Sequence, residues 1–419
     1  MEQALGSQQN QPTPEVAENE PPKTDKYIWG IYILLLIVSV IELYSASSFE
    51  VRASNVFAPL IRHGMMLVVG TLIVLGISHI NYRWLIPLIP LFVIFSIALA
   101  GYVLVAGEII NGARRSVTMF GVSFQPAEFL KLSAVLSLAL IMSRSQSRDG
   151  VKTWGIVTSS IIVLVFGAIL LPQGLTNTLL LMGISLSMML IGGIPFRKFC
   201  AVVGIYVVLA GGFYVVKSML SEDKARTETW EARFERFFND SVPKYEEPIT
   251  SINRQEMYGY MAQAHGGLIG VMPGNSRETS RLPLAFSDYI FSIVVEDLGF
   301  IGGCALLLFY LSLMARAGNI ARQCKRALPA LLVIGMAVMI VLQALFHMAI
   351  VTGVFPVSGQ PLPLISKGGS SILITSIAFG IMLSVSRFAT QSKTKKQGAD
   401  PEAELLPEEV QAINPTQID

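Results

Sequence analysis

The chain has 419 residues, of which 52% are apolar and only 14% charged, and its mean hydropathy is +0.57. So few charges cannot cover a water-soluble globule of this size, which leaves a membrane as the natural solvent. The 31 basic and 29 acidic residues nearly cancel to +2, so no field argues for nucleic acid as a partner, and the three cysteines (Cys200, Cys304, Cys324) lack the spacing of a disulfide framework or a zinc site.

In chain order, residues 1–26 are polar and rich in Pro, Gln and Glu, with no basic start, and are expected to form a disordered cytoplasmic tail rather than a leader. Apolar runs of bilayer length then follow near 27–44, 64–80, 84–106, 127–143, 154–171, 178–195, 199–217, 288–315, 328–351 and 370–387. These predict an all-α polytopic membrane protein with about ten transmembrane helices, its membrane domain spanning 27–388.

Basic residues gather in alternate loops: Arg83; Arg144, Arg148 and Lys152; Arg197 and Lys198; Arg316 to Arg326; then Arg387 to Lys396. The positive-inside rule therefore places both termini in the cytoplasm. It also puts the long segment 218–287, between the seventh and eighth runs, outside as a large extracytoplasmic loop. In that loop Trp230, Phe234, Phe237 and Phe238 recur at helical spacing among charges, which predicts an amphipathic helix, lying in the headgroup layer or packed on the bundle. Residues 389–419 begin basic, turn acidic and have no apolar face, so a second disordered cytoplasmic tail is expected.

Charge at membrane depth is costly, so polar clusters at the outer ends of the helices are the first candidates for function. The stretch 111–133 carries Arg114 and Arg115, then Gln125 and Pro126 leading into a helix with Glu128 and Lys131 on one face. Those two form either a plain intrahelical ion pair or a site for a charged headgroup. In 266–303, a loop containing Asn275 ends at Ser287 and Asp288 as the next helix begins. Asp288 is either an N-cap or a catalytic carboxylate, and position alone does not choose. Glu296 and Asp297 lie deeper in the same helix and require an interior partner, for which Lys131 is the expected cation. The third cluster, 353–374, holds Lys367 before Gly-Gly-Ser-Ser, including Ser370, which either caps a helix or offers donors to a phosphate. The four histidines lack metal-ligand spacing.

Taken in order, G-A-x-R at 112–115, Q-P-A-E-x-x-K at 125–131, P-G-N-S at 273–276, L-P-x-A-x-S-D-Y-I-F at 282–291 and L-P-L-I-S-x-G-G-S-S at 362–371 resemble the SEDS family (shape, elongation, division and sporulation) of bacterial cell-wall proteins, its division branch most of all. The resemblance covers about 27–388. It implies a peptidoglycan glycosyltransferase that polymerises lipid II at the outer face of the bacterial inner membrane, at the division septum. A class B penicillin-binding protein, other divisome proteins and membrane lipid are the implied partners. Asp288 takes the place of the family's essential aspartate and is the expected catalytic base. Arg115, Gln125, Glu128, Lys131, Asn275, Ser287, Lys367 and Ser370 are the expected substrate contacts. A magnesium or manganese ion is the cofactor that a leaving pyrophosphate calls for, though no ligand cluster motivates one and no metal-binding residue is assigned. The chain departs from the family pattern at Ser116, Leu284, Phe286, His347 and Lys367, and at Leu175, where a Q-P-D-L-G-T element loses its acid. The rival functions are a lipid II flippase and a non-enzymatic divisome scaffold.

Overall fold

A computed structural model of the chain describes residues 24–47, 58–110, 113–119, 122–147, 150–220, 237–238, 247–250, 253–282 and 286–397. Most of both expected tails, and all of the expected amphipathic helix except Phe237 and Phe238, lie outside the described residues.

The helices, in chain order, are α1 (Lys26–Ser47), α2 (Ala58–His79), α3 (Ile89–Ala106), α4 (Pro126–Arg144), α5 (Thr153–Leu170), α6 (Leu175–Ile191), α7 (Phe196–Leu220), α8 (Arg254–Gly266), α9 (Ile290–Gln323), α10 (Ala327–Val351) and α11 (Gly369–Gln397). Eight of them are long and apolar enough to cross a membrane. α6 is apolar but shorter, and α7 occupies the seventh apolar run. Large apolar side chains such as Leu72, Ile94, Val207 and Leu308 are more than half exposed. Apolar surface on this scale has no place in water and fits lipid contact. The chain is a multi-pass membrane protein.

α4, α10 and α11 form the centre, where they are buried over most of their length. α2 packs on α11, α10 joins α4 to α9, and α3, α5 and α6 surround α4. Local chemistry sets several boundaries. Pro126 occupies the first turn of α4, where a missing N–H costs nothing. Asp25 caps α1 by accepting from the Tyr27 and Ile28 amides, both at 3.0 Å, and its other oxygen pairs with Arg316 of α9.

A small antiparallel sheet joins the helices. β1 (Glu108–Ile110), β2 (Ala113–Met119) and β3 (Val122–Phe124) run in the order β1-β2-β3 between α3 and α4. It places Arg115 beside the start of α4.

α9 is broken at Gly299, whose φ of 74° only glycine adopts without strain. The break frees backbone groups at membrane depth, and the loop after α8 takes them up. Val271 and Met272 donate to the carbonyls of Glu296 and Asp297 at 3.0 and 2.9 Å, and Phe300 donates to Gly267 at 2.9 Å. Irregular backbone persists inside a membrane only when protein repairs it in this way. α8 itself rests on α9 through Gly259, Ala262 and Gly266, small residues at three- and four-residue spacing.

Candidate active site

Two distant loops converge around Asp288. The Ser366 hydroxyl donates to the Ser287 carbonyl at 2.7 Å, and the Lys367 amide donates to the Phe286 carbonyl at 2.9 Å. The clamp is itself held: Tyr310 of α9 donates to the Pro363 carbonyl at 2.7 Å, and buried Leu364 sits at a positive φ of 64°. A leucine persists in that conformation only where its surroundings over-determine it. Asp288 thus stands on rigid backbone just before α9, and α9's first residue has no side-chain cap from Tyr289.

Asp288 faces a cavity of about 480 Å³, within the range of small-molecule sites. Arg115, Gln125, Gln173, Asn177, Ser287 and Gln360 supply polar lining, while Leu175, Leu179, Phe346, Ile350 and Phe355 line it with apolar surface. Phe346 and Phe355 stack at 5.3 Å. The cavity therefore has the two-sided character that an amphiphile with a polar head requires.

Burial pushes the Asp288 carboxyl above the usual carboxylate range, while a hydrogen bond from Ser287 and the Arg115 guanidinium oppose that rise. The Ser287 hydroxyl donates to Asp288 Oδ1 at 2.9 Å. Against the other side of the carboxylate lies Gly359, where an added Cβ would come within 2.6 Å of Oδ2. A glycine is required there for the cavity wall to approach so closely.

The expected substrate contacts divide by position. Arg115, Gln125 and Ser287 line the cavity with Asp288. Glu128 and Lys131 do not: they are buried beneath it, paired at 2.7 Å, with Lys131 also donating to Gln343 Oε1 at 2.7 Å. Gln343 in turn donates to the Pro361 carbonyl at 3.2 Å, so the ion pair braces the loop that carries Gly359 and Gln360. Asn275 is exposed outside the cavity and binds the Val271 carbonyl. Lys367 lies over the Phe286 ring at 4.2 Å rather than on the cavity wall. Ser370 accepts from the Gln125 amide at 3.1 Å, tying β3 and α4 to α11.

Lys131 is not the partner of the acids on α9. Glu296 binds His265 at 2.9 Å, the Ser276 hydroxyl and the amides of Arg277 and Glu278, while Asp297 lies near Glu42 and Ser45. The reason is geometric: these acids face the α8 loop and α1, and Lys131 faces α10. Residues that residue-type reasoning passed over include Gln173, Asn177 and Gln360. His347 holds the last of these by its carbonyl at 2.6 Å, and Gln360 Nε2 donates to Asn177 Oδ1 at 3.0 Å. Only the departures from a familiar motif marked this segment in the sequence. Among the described residues, no three His, Cys, Asp or Glu side chains converge as metal ligands.

Residues 25–391 match the family model of the FtsW, RodA and SpoVE cell cycle proteins. The chain belongs to this family. Among its relatives in the family, a probable peptidoglycan glycosyltransferase FtsW of Trichlorobacter lovleyi is 30% identical, the match covering 85% of this chain and 93% of that protein. The stage V sporulation protein E of Bacillus subtilis is 29% identical over 86% of this chain and 96% of that one. The family's fold is shared as well. The crystal structure of the rod shape determining protein RodA of Thermus thermophilus covers 87% of this chain and 97% of its own, at 23% identity and a TM-score of 0.61. A structure described as coordinating polymerization and crosslinking in a peptidoglycan synthase complex covers 87% and 98%, at 24% identity and a TM-score of 0.67.

Proposed function

We propose that this protein is a peptidoglycan glycosyltransferase that polymerises lipid II at the outer face of the bacterial inner membrane, at the division septum, alongside a class B penicillin-binding protein and other divisome proteins. The observation that carries this reading is Asp288, a carboxylate on rigid backbone in a cavity shared with Arg115 and walled on one side by apolar residues. Relatives bearing the name of that activity support it.

Asp288 takes the proton of the acceptor sugar's C4 hydroxyl as the oxygen bonds to C1 of the donor. The C1–O bond to phosphate breaks, and the undecaprenyl pyrophosphate leaves with the electron pair. The single base on the acceptor side parallels the role of one carboxylate in inverting glycosidases. A carboxyl raised by burial is a stronger base when ionised, which favours proton transfer near neutral pH. Arg115 supplies positive charge and directed donors to the leaving pyrophosphate. The apolar wall of Leu175, Leu179, Phe346 and Ile350 receives the first isoprene units, and the rest of the tail stays in lipid. Magnesium and manganese are held by one or two carboxylates together with substrate phosphate oxygens, so an ion arriving with the pyrophosphate would rest on Asp288, the one carboxylate of the lining, and would supply positive charge to the leaving group.

The test is polymerisation of labelled lipid II by the purified protein with its penicillin-binding partner, comparing wild type with Asp288→Asn at equal folded concentration. Glycan strands from the wild type alone are the expected result. Strands from both variants would remove Asp288 as the base, and none from either in a well-folded complex would favour the flippase or scaffold readings.

A further inference from the structure

Gln173 stands in the turn between α5 and α6 and lines the same cavity, with 1% of its surface exposed. Its backbone amide is used, donating to the Leu170 carbonyl at 2.8 Å, so the turn itself is fixed. Its side-chain amide is not: neither Nε2 nor Oε1 has a hydrogen-bond partner among the described residues. The neighbouring Gln360 differs in part: its Nε2 donates to Asn177 Oδ1 at 3.0 Å, while its Oε1 also lacks a partner among the described residues. A buried carboxamide with both ends unpaired weakens the free state by roughly 10- to 100-fold in equilibrium terms, and a ligand bringing one acceptor and one donor recovers that loss.

We infer that Gln173 reads the 2-acetamido-3-hydroxyl edge of the acceptor sugar, an inference that rests on the polymerase reading above. In such a sugar the acetamido carbonyl and the neighbouring 3-hydroxyl lie side by side. That pair presents an acceptor to Nε2 and a donor to Oε1, the two bonds this amide lacks. Held by that edge, the adjacent 4-hydroxyl is presented across the cavity to Asp288. The recognised sugar is the unit with a free 3-hydroxyl, the N-acetylglucosamine at the growing reaction's acceptor end, and not its 3-O-substituted neighbour. Gln173 is in this reading a specificity and positioning residue. A site built to hydrogen-bond a hydroxyl discriminates strongly against an analogue lacking it, because its own polar atoms are left unpaired.

The experiment pairs labelled lipid II as donor with two acceptors, natural lipid II and an analogue whose terminal sugar is 3-deoxy. Wild type is expected to prefer the natural acceptor by about 10- to 100-fold in kcat/KM. Gln173→Leu is expected to lose most of that preference, and Gln173→Glu, which keeps the acceptor atom at the same length, to retain preference for the 3-hydroxyl at a reduced rate. Unchanged kinetics in Gln173→Leu, or an equal fall on both acceptors with the preference intact, would overturn the assignment. Saturation-transfer NMR with a free N-acetylglucosamine oligosaccharide keeps the question separate from catalysis. Acetamido-methyl contact in wild type but not in the folded Gln173→Leu protein supports the site even if no polymer forms, and equal contact or none in both rejects it.

Discussion

Asp288 and Glu296 are both carboxylates at the Asp288 end of α9, and the structure treats them in opposite ways. Glu296 is saturated, taking bonds from His265, Ser276 and two backbone amides, and it does not reach the cavity. Asp288 receives the Ser287 hydroxyl and otherwise opens on the cavity, opposite Arg115. A carboxylate whose lone pairs are all occupied is a strut for the α8 loop. One held rigidly but left accessible is able to take a proton. Glu296 is both fully buried and hydrogen-bonded on both oxygens, whereas Asp288 is only partly buried and lines the cavity.

The sharpest way to break this contrast is to make the same amide change at both positions. Asp288→Asn keeps shape and removes the base, so polymerisation should fall by about 10³-fold, within the range of a lost general base. The thermal midpoint in detergent should hold or rise, since a partly desolvated charge has been removed. A parallel loss of stability would mean that Asp288 is a cap and not a catalyst.

Next in size is the ion pair beneath the cavity. Lys131→Met leaves Glu128 buried without its cation and should cost about 3–5 kcal/mol, read as a lower midpoint, whereas the double change Lys131→Met with Glu128→Leu should recover much of it. Surviving double-variant protein should bind lipid II with nearly wild-type affinity, because the pair touches the wall loop through Gln343 and not the cavity. A large loss of affinity would return Lys131 to the list of substrate contacts.

Glu296→Gln comes third. It places an amide nitrogen among donors that expect a carboxylate, and should destabilise by about 1–3 kcal/mol without altering the chemistry of molecules that remain folded. The outcome to measure is specific activity per folded molecule beside the melting midpoint.

How much of this was legible in the chain depends on range. Hydropathy runs marked where the helices lie because a span needs a contiguous apolar stretch, but not where they end: α9 runs on to Gln323 beyond the expected 315, and α11 to Gln397 beyond the expected 387, because polar turns prolong a helix without any apolar signal. The break of α9 at Gly299 was not read, since a helix interior glycine is ordinary until a second loop is known to repair the freed carbonyls. The sheet carrying Arg115 was passed over, although Asn111-Gly112 directly after Ile109 and Ile110 is a hairpin signal. The order of motifs singled out Asp288, and the structure sets Arg115, Gln125 and Ser287 in the cavity with it while Glu128, Lys131, Asn275, Lys367 and Ser370 lie off its wall. Lys131 and Gln343 are separated by 212 positions, and no local pattern announces such a contact. Gln173 and Gln360 reach the cavity from turns whose meeting is a property of the whole bundle. Lys367 and Ser370 lie off the cavity wall, the first over the Phe286 ring and the second on the Gln125 amide.

The smallest effect is the most specific to the proposed chemistry. Ser287 stabilises the ionised form of Asp288, so Ser287→Ala removes an influence that lowers its carboxyl and lets burial raise it further. Activity requires the carboxylate, and it is lost as pH falls through that group's titration. The acid limb of the kcat/KM profile should therefore move to higher pH in Ser287→Ala, with the plateau little changed. Arg115→Gln should move the limb in the same direction, because it also removes positive charge that favours the carboxylate, but it should lower the plateau as well if the guanidinium meets the pyrophosphate. A shared shift with divergent plateaus would separate tuning of the base from binding of the leaving group. An acid limb unmoved in both variants would mean that the titrating group is not Asp288, and the contrast between the open and the saturated carboxylate would have to be drawn elsewhere.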